Sequence, residues 1–324
     1  MALIDSRTAG NVVAFPERKP SLAIKNVLFA TDFSATSEAA LPYAAAISRH
    51  FGSTLHAVHV LSDTGLLMMA GGVDYVSLGT LYEDAQTEAK EKLDQLSTRL
   101  GHISSYTCVR HGEVWKNLAE VIEGEKIDLI VLGTHGRTGL GKLLLGSVAE
   151  NILRHACCPV LTVGPKVSGR AKLPALLAHG RDLAPPELEM RQILCATKFG
   201  RGASRVVKTA VLLAAEFGCD LSMMHVIEDY NELGSQPSPV EQSGSRLAAL
   251  MPPDVTLQRA PETLLDFGSA SESILSIAAE READMIVLGA RTRTEPGITH
   301  FPWSTAHQVL AHATCPVLTI RAEG

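Results

Sequence analysis

Aromatic residues make up only 5% of this 324-residue chain, and no apolar run approaches the roughly 18 residues that a membrane-crossing helix needs. No single sign of charge dominates either: 29 basic residues against 35 acidic ones leave a formal net charge of −6. That balance excludes a uniformly basic surface, so neither nucleic acid nor a membrane is an expected partner. It leaves room for a small phosphate ligand, which local backbone N–H groups hold rather than the global field. Cysteine is also sparse. Cys108, Cys157, Cys158, Cys195, Cys219 and Cys315 form no Cys-x-x-Cys pair and no regular Cys/His ligand spacing, so they read as buried free thiols in a reducing cytoplasm. Residues 1–21 lack the apolar core of an export signal and read as a mobile leader.

The composition, 46% hydrophobic and 20% charged, is enough for well-filled cores, and the length suits two domains. The chain in fact repeats itself. NVLFATDFS at 26–34 matches QILCATKFG at 192–200, and at the same offset of 166 HFGSTLHAVHV at 50–60 matches EFGCDLSMMHV at 216–226. The offset falls to 156 where IDLIVLGTHG meets ADMIVLGART, and becomes 157 where HACCPVLTV meets HATCPVLTI. A Gly- and Pro-rich stretch separates the copies. The boundaries expected are a leader over 1–21, a first domain over 22–165, a linker over 166–189 and a second domain over 190–322.

Within the first copy, VLFAT, TLHAVHV, SSYTCVR, DLIVLGT and PVLTVG are near-continuous apolar runs, as expected of strands covered on both faces of a parallel sheet. Helical patterns alternate with them. One has Ala40, Ala44, Ile47 and Phe51 on one face and ends at Gly52; Pro42 inside it predicts an early kink or a late start. Another runs from Leu81 to Leu100 and ends at Gly101. Residues 63–80, between the second strand and that helix, read as a flap, a partner-binding lip or plain disorder. The fold class is α/β: two tandem doubly wound, Rossmann-like domains, each a five-stranded parallel sheet flanked by helices, with ligands expected at the carboxyl ends of the strands.

After the fourth apolar run comes GTHGRTGLGKLLLGSV, residues 133–148, leading into a helix. Glycines at a strand end let backbone approach a phosphate, and the N–H groups of Gly146, Ser147 and Val148 open that helix toward an anion. Five glycines are more than a turn alone requires. The same stretch contains GRTGLGK, but the phosphate-loop pattern needs Ser or Thr next, and Leu143 stands there.

The spacing of Gly133, two residues, Gly136, nine residues and Gly146-Ser147 resembles the ATP-binding signature of the universal stress protein family. The start VLFATDFS, the second strand ending in His59-Val60 and the closing CPVLTV extend that resemblance over both copies. It implies an adenine-nucleotide alpha-hydrolase-like fold with adenine held by Thr31, Asp32 and Val60, and ribose near Ala30, Leu132 and Gly133. Phosphates would rest on Gly136, Arg137, Gly146, Ser147 and Val148, with His135 close by and Mg²⁺ as the companion ion of ATP. The second copy departs from this pattern: Lys198 replaces Asp32, Thr292 replaces Gly136, and Trp303-Ser304 replaces Gly146-Ser147, with Pro296 and Pro302 in the loop. Trp lacks glycine's bare backbone and proline removes a donor, so one ATP per chain is expected, in the first copy.

His56, His59, His111, His135 and His155 lack the spacing and acidic company of metal ligands and read as structural. No catalytic residue is assigned, because no general base with an orienting partner accompanies the loop. The leading reading is a stress-response module with ATP as regulatory ligand. A slow ATPase or a protein phosphorylating itself on Thr134, Thr138 or Ser147 is the enzymatic alternative, and a nucleotide-independent scaffold the third. The two copies are expected to pair through PVLTVG and PVLTI as an intrachain pseudo-dimer, which leaves a homodimer of whole chains open.

Overall fold

The computed structural model describes residues 22–62, 75–134, 145–167, 171–173, 186–200, 202–228, 239–291 and 305–322. In the first copy the order is β1 (Asn26–Ala30), α1 (Ala35–Phe51), β2 (Thr54–Leu61), α2 (Tyr75–Leu100), β3 (Ser105–His111), α3 (Val114–Gly124), β4 (Leu129–Gly133), α4 (Ser147–His155) and β5 (Val160–Val163). Two short strands, β6 (Ala171–Lys172) and β7 (Glu187–Leu188), lie in the linker. The second copy follows as β8 (Gln192–Ala196), α5 (Ala203–Phe217), β9 (Asp220–Ile227), α6 (Pro239–Ala249), β10 (Glu262–Phe267), α7 (Ala270–Glu280), β11 (Met285–Arg291), α8 (Thr305–His312) and β12 (Val317–Ala322).

Local chemistry sets these boundaries. Ser34 caps α1 by accepting from the Ser37 N–H, and Gly52 ends it in the left-handed conformation at φ 65°, where a Cβ would be strained. With that start fixed, the helix begins at Ala35 and continues through Pro42 rather than beginning late, with the Pro42 N–H missing from its ladder. Helix α2 starts at Tyr75, six residues before the expected Leu81, and contains Gly79; the low helix propensity of glycine hid this first turn and a half from the sequence reading. Glu113 caps α3 with both carboxylate oxygens, on the Trp115 and Lys116 N–H groups.

All ten long strands share one sheet, ordered β10-β9-β8-β11-β12-β5-β4-β1-β2-β3. Each half is parallel, and the halves meet where β5 and β12 pair antiparallel, with Leu161 opposite Leu318. Thr162 Oγ1 donates to the Val317 carbonyl at 3.1 Å and Thr319 Oγ1 to the Val160 carbonyl at 3.2 Å, the same bond repeated about a pseudo-twofold axis. Each copy thereby covers the edge the other would expose. A second device also repeats. Asp128 Oδ2 accepts the N–H groups of Lys25 and Asn26, and Asp284 Oδ2 those of Arg191 and Gln192, tying the start of the fourth strand to that of the first in each copy.

One apolar core lies between the sheet and α1, α2 and α5, and the other between the sheet and α3, α4, α7 and α8. Within the linker β6 pairs with β7 antiparallel and both lie on α1, where Arg49 donates to the Pro186 carbonyl at 3.1 Å. Across the pseudo-twofold axis the equivalent positions 50 and 216 hold His50 and Glu216, bonded at 3.0 Å.

Of the six cysteines, Cys158, Cys195, Cys219 and Cys315 are buried and Cys108 is half-buried, but Cys157 is exposed, against the expectation of burial. It sits in the bend before Pro159, where only one of two neighbouring side chains can turn inward.

Candidate functional site

A doubly wound sheet opens a crevice where its strand order reverses, here between β1 and β4. Ala30 ends β1 opposite Leu132 on β4 and Val58 on β2, so the carboxyl ends of three strands converge there. Ala30, Val60 and Leu132 all pack on the face covered by α3 and α4. Gly133 then sits under the first turn of α1. A Cβ at that position would lie 2.6 Å from the Thr36 carbonyl carbon and 2.8 Å from the Ser37 nitrogen, so this crossing admits glycine alone.

The turn after β1 is tightly held. The Thr31 N–H donates to the Val58 carbonyl at 3.0 Å, and His59 Nδ1 lies 2.8 Å from the Thr31 carbonyl oxygen, so the imidazole donates there. His59 thus locks the β1 turn onto β2, and its ring packs against Phe33 with centroids 4.5 Å apart. Phe33 has φ 59°, a conformation a bulky residue adopts only when its surroundings impose it. Asp32 Oδ1 accepts the Ser34 N–H at 3.0 Å, which closes the turn and presents the Asp32 carboxylate at its apex.

The far wall of the crevice is the start of α4. Gly146 is its N-cap, and the Gly146 N–H donates back to the Thr134 carbonyl at 2.8 Å. The first intrahelical bond is Glu150 N–H to the Gly146 carbonyl, so the N–H groups of Ser147, Val148 and Ala149 have no partner within the helix. With no side chain at the cap, that end of the dipole stays open to an anion. Ser147 and Val148 are exposed there.

The structure therefore brings Ala30, Thr31, Asp32, Val60, Leu132, Gly133, Gly146, Ser147 and Val148 to one end of the sheet. His135, Gly136 and Arg137 lie outside the described residues. The sequence reading passed over Arg110, which stands on β3 directly beside Val60. Its only sequence signal was a cation at the end of an otherwise uncharged strand.

In the second copy the same turn is built from the same parts: His225 Nδ1 lies 2.9 Å from the Thr197 carbonyl oxygen and its ring packs on Phe199 at 4.1 Å. The contents differ. The Lys198 ammonium, at the position Asp32 holds in the first copy, pairs with the Glu228 carboxylate. A Cβ on Gly289, the counterpart of Gly133, would meet the Val206 side chain at 3.3 Å rather than backbone, so that crossing is looser. Thr292, Pro296, Pro302, Trp303 and Ser304 lie outside the described residues.

Fold and crevice together define a tandem doubly wound α/β protein. The model of the universal stress protein family matches residues 23–164 and 189–321. The chain belongs to that family. Among its relatives, a universal stress protein of Methanocaldococcus jannaschii is 32% identical over 139 residues, covering 43% of this chain and 81% of that one. A universal stress protein of Mycolicibacterium smegmatis aligns over both copies, at 25% identity, covering 91% of this chain and 96% of its own length. The crystal structure of a universal stress protein from Archaeoglobus fulgidus superposes with a TM-score of 0.63 at 21% identity, covering 92% of this chain and 96% of that one, and so shares the fold.

Proposed function

We propose that this universal stress protein binds one adenine nucleotide per chain, in the crevice of its first copy, as a regulatory ligand. The observation that carries the reading is the opening of α4. Its N-cap is the bare Gly146, whose N–H is spent on Thr134, and the next N–H groups face the crevice mouth without a partner in the helix. Triphosphate oxygens supply the acceptors and the negative charge that such a terminus favours. At the other end of the crevice, Asp32 and the end of β2 at Val60 suit an amino-bearing base, with the ribose near Ala30, Leu132 and Gly133. His135, Gly136 and Arg137 complete the phosphate contacts in this reading, and Mg²⁺ accompanies the phosphates.

The second copy is silent toward ATP. Lys198 and Glu228 neutralise each other where the base would seat, so neither is available to an amino group. Isothermal titration with ATP tests both statements. The expected stoichiometry is one, and Gly146→Trp, which writes the second copy's residue into the first, should abolish binding while leaving the circular dichroism spectrum unchanged. Two ATP per chain, or full binding by the Trp variant, would overturn the reading.

A further inference from the structure

Arg110 Nε is buried and has no hydrogen-bond partner, and no carboxylate pairs with this guanidinium among the described residues. An arginine is always charged and presents five donors, so leaving one walled off from water without an acceptor costs stability unless something else supplies the acceptor. Position indicates what that is. Arg110 is the Cα partner of Val60 across the β2–β3 pair, one residue from the carboxyl end of β3. Cys108 packs on the core face shared with Ala30, Val60 and Leu132, while Val109 packs on the opposite one. The two-residue period of a strand then puts Arg110 on the Cys108 face, the one covered by α3 and α4.

The phosphate end of the crevice is out of its range. The loop to α4 leaves from β4, three strands away from β3 and so about 14 Å distant at ordinary strand spacing. The base end is adjacent. A base seated at the end of β2 would have Asp32, beyond β1, on one side and Arg110, on β3, on the other.

We infer that Arg110 reads the base of the first-copy nucleotide, donating from its guanidinium to a purine ring nitrogen while Asp32 accepts from the exocyclic amine. This rests on the nucleotide reading above and adds a base preference to it. An acceptor and a donor side by side match adenine, whose N6 amino group donates next to an accepting N7. Guanine presents O6 in place of that amino group, which would set acceptor against acceptor at Asp32. The second copy has Asp266 at the corresponding strand position and Lys198 opposite, the charges exchanged, so it does not reproduce the pair.

The test is calorimetric titration of the full chain and of Arg110→Gln and Arg110→Lys with ATP, AMP and GTP. The Gln variant should bind ATP and AMP more weakly by the same factor, about tenfold or more, as expected for loss of a hydrogen bond to a charged group. Its preference for ATP over GTP should persist, because N7 is common to both bases and Asp32 is the group that meets O6, and the Lys variant, which keeps a charged donor, should fall between. Unchanged ATP affinity would overturn the assignment, and so would a loss confined to ATP and absent with AMP, because that pattern belongs to a phosphate contact. If the Gln variant fails to fold, the Lys variant carries the same comparison. Failure of the unsubstituted chain to bind any nucleotide would instead remove the nucleotide reading, and Arg110's role with it.

Discussion

Replacing Gly133 with alanine tests the link between the repeat and the site, because the second copy supplies its own control at Gly289. In the first copy the added Cβ would stand 2.6 Å from the Thr36 carbonyl carbon and 2.8 Å from both the Thr36 oxygen and the Ser37 nitrogen. Those atoms are backbone in the first turn of a capped helix, so relief requires moving α1 off the sheet. Overpacking of this kind costs about 1 to 3 kcal/mol, and an immovable neighbour puts Gly133→Ala toward the upper end. At Gly289 the same methyl meets only the Val206 Cγ2 at 3.3 Å, which a small side-chain shift accommodates. Gly289→Ala should therefore cost under about 1 kcal/mol. Urea unfolding followed by circular dichroism, with each variant compared to the parent, measures both. Because α1 begins beside the crevice, Gly133→Ala should also weaken ATP binding while Gly289→Ala leaves it intact. Equal destabilisation by the two changes would refute the packing argument, since it would mean that the two crossings are equally tight.

Burial holds the imidazoles of His56 and His307 below their ordinary value of 6.5, against the opposing pull of Glu125 on His56 and of Glu150 on His307, while His312 adds to the lowering at His307. A histidine lowered in the folded state takes up its proton first in the unfolded chain, so stability is full above 6.5 and declines as pH falls below it. His56→Gln should flatten that decline in urea midpoints measured from pH 8 to 5, and an unchanged slope would argue against His56 as a source. Burial pushes the thiols of Cys158, Cys195 and Cys219 up to about 12. A thiol reagent at neutral pH should therefore label exposed Cys157 rapidly and those three only after denaturant is added; rapid labelling of Cys195 in the folded chain would contradict its burial. Replacing Thr162 and Thr319 together with valine removes the two hydroxyl bonds across the β5–β12 seam and leaves their carbonyl acceptors with the ladder alone. The loss should be about 1 to 3 kcal/mol, read by urea unfolding.

The architecture was legible because its strands are short β-branched and aliphatic runs buried on both faces, and because each is written twice at nearly fixed offset. VLFAT, DLIVLGT and PVLTVG needed no partner to be recognised. The special backbone positions, Gly133 at its crossing with α1 and Gly146 at the cap of α4, were legible because glycine at a strand end and at a helix start stands out in the sequence. What escaped depends on contacts between distant segments. The two-residue strands of the linker are too short to carry a period, and they form only because α1 offers them a surface. Gly79 masked the first turn of α2. Cys157 and Cys158 are adjacent and alike, and only the bend before Pro159 sorts one inside and the other out. Arg110 acquires meaning only from the register that sets it beside Val60 and from the missing acceptor around its Nε.

The central claim is one adenine nucleotide per chain, held by the first copy. Mass spectrometry of the small molecules released when the purified full-length protein is denatured, quantified against protein, tests it most directly. The account predicts an adenine nucleotide approaching one equivalent from the parent chain, falling to background for Gly146→Trp and unaffected by Lys198→Ala. No nucleotide in the released fraction, together with no heat on titration with ATP, would contradict it.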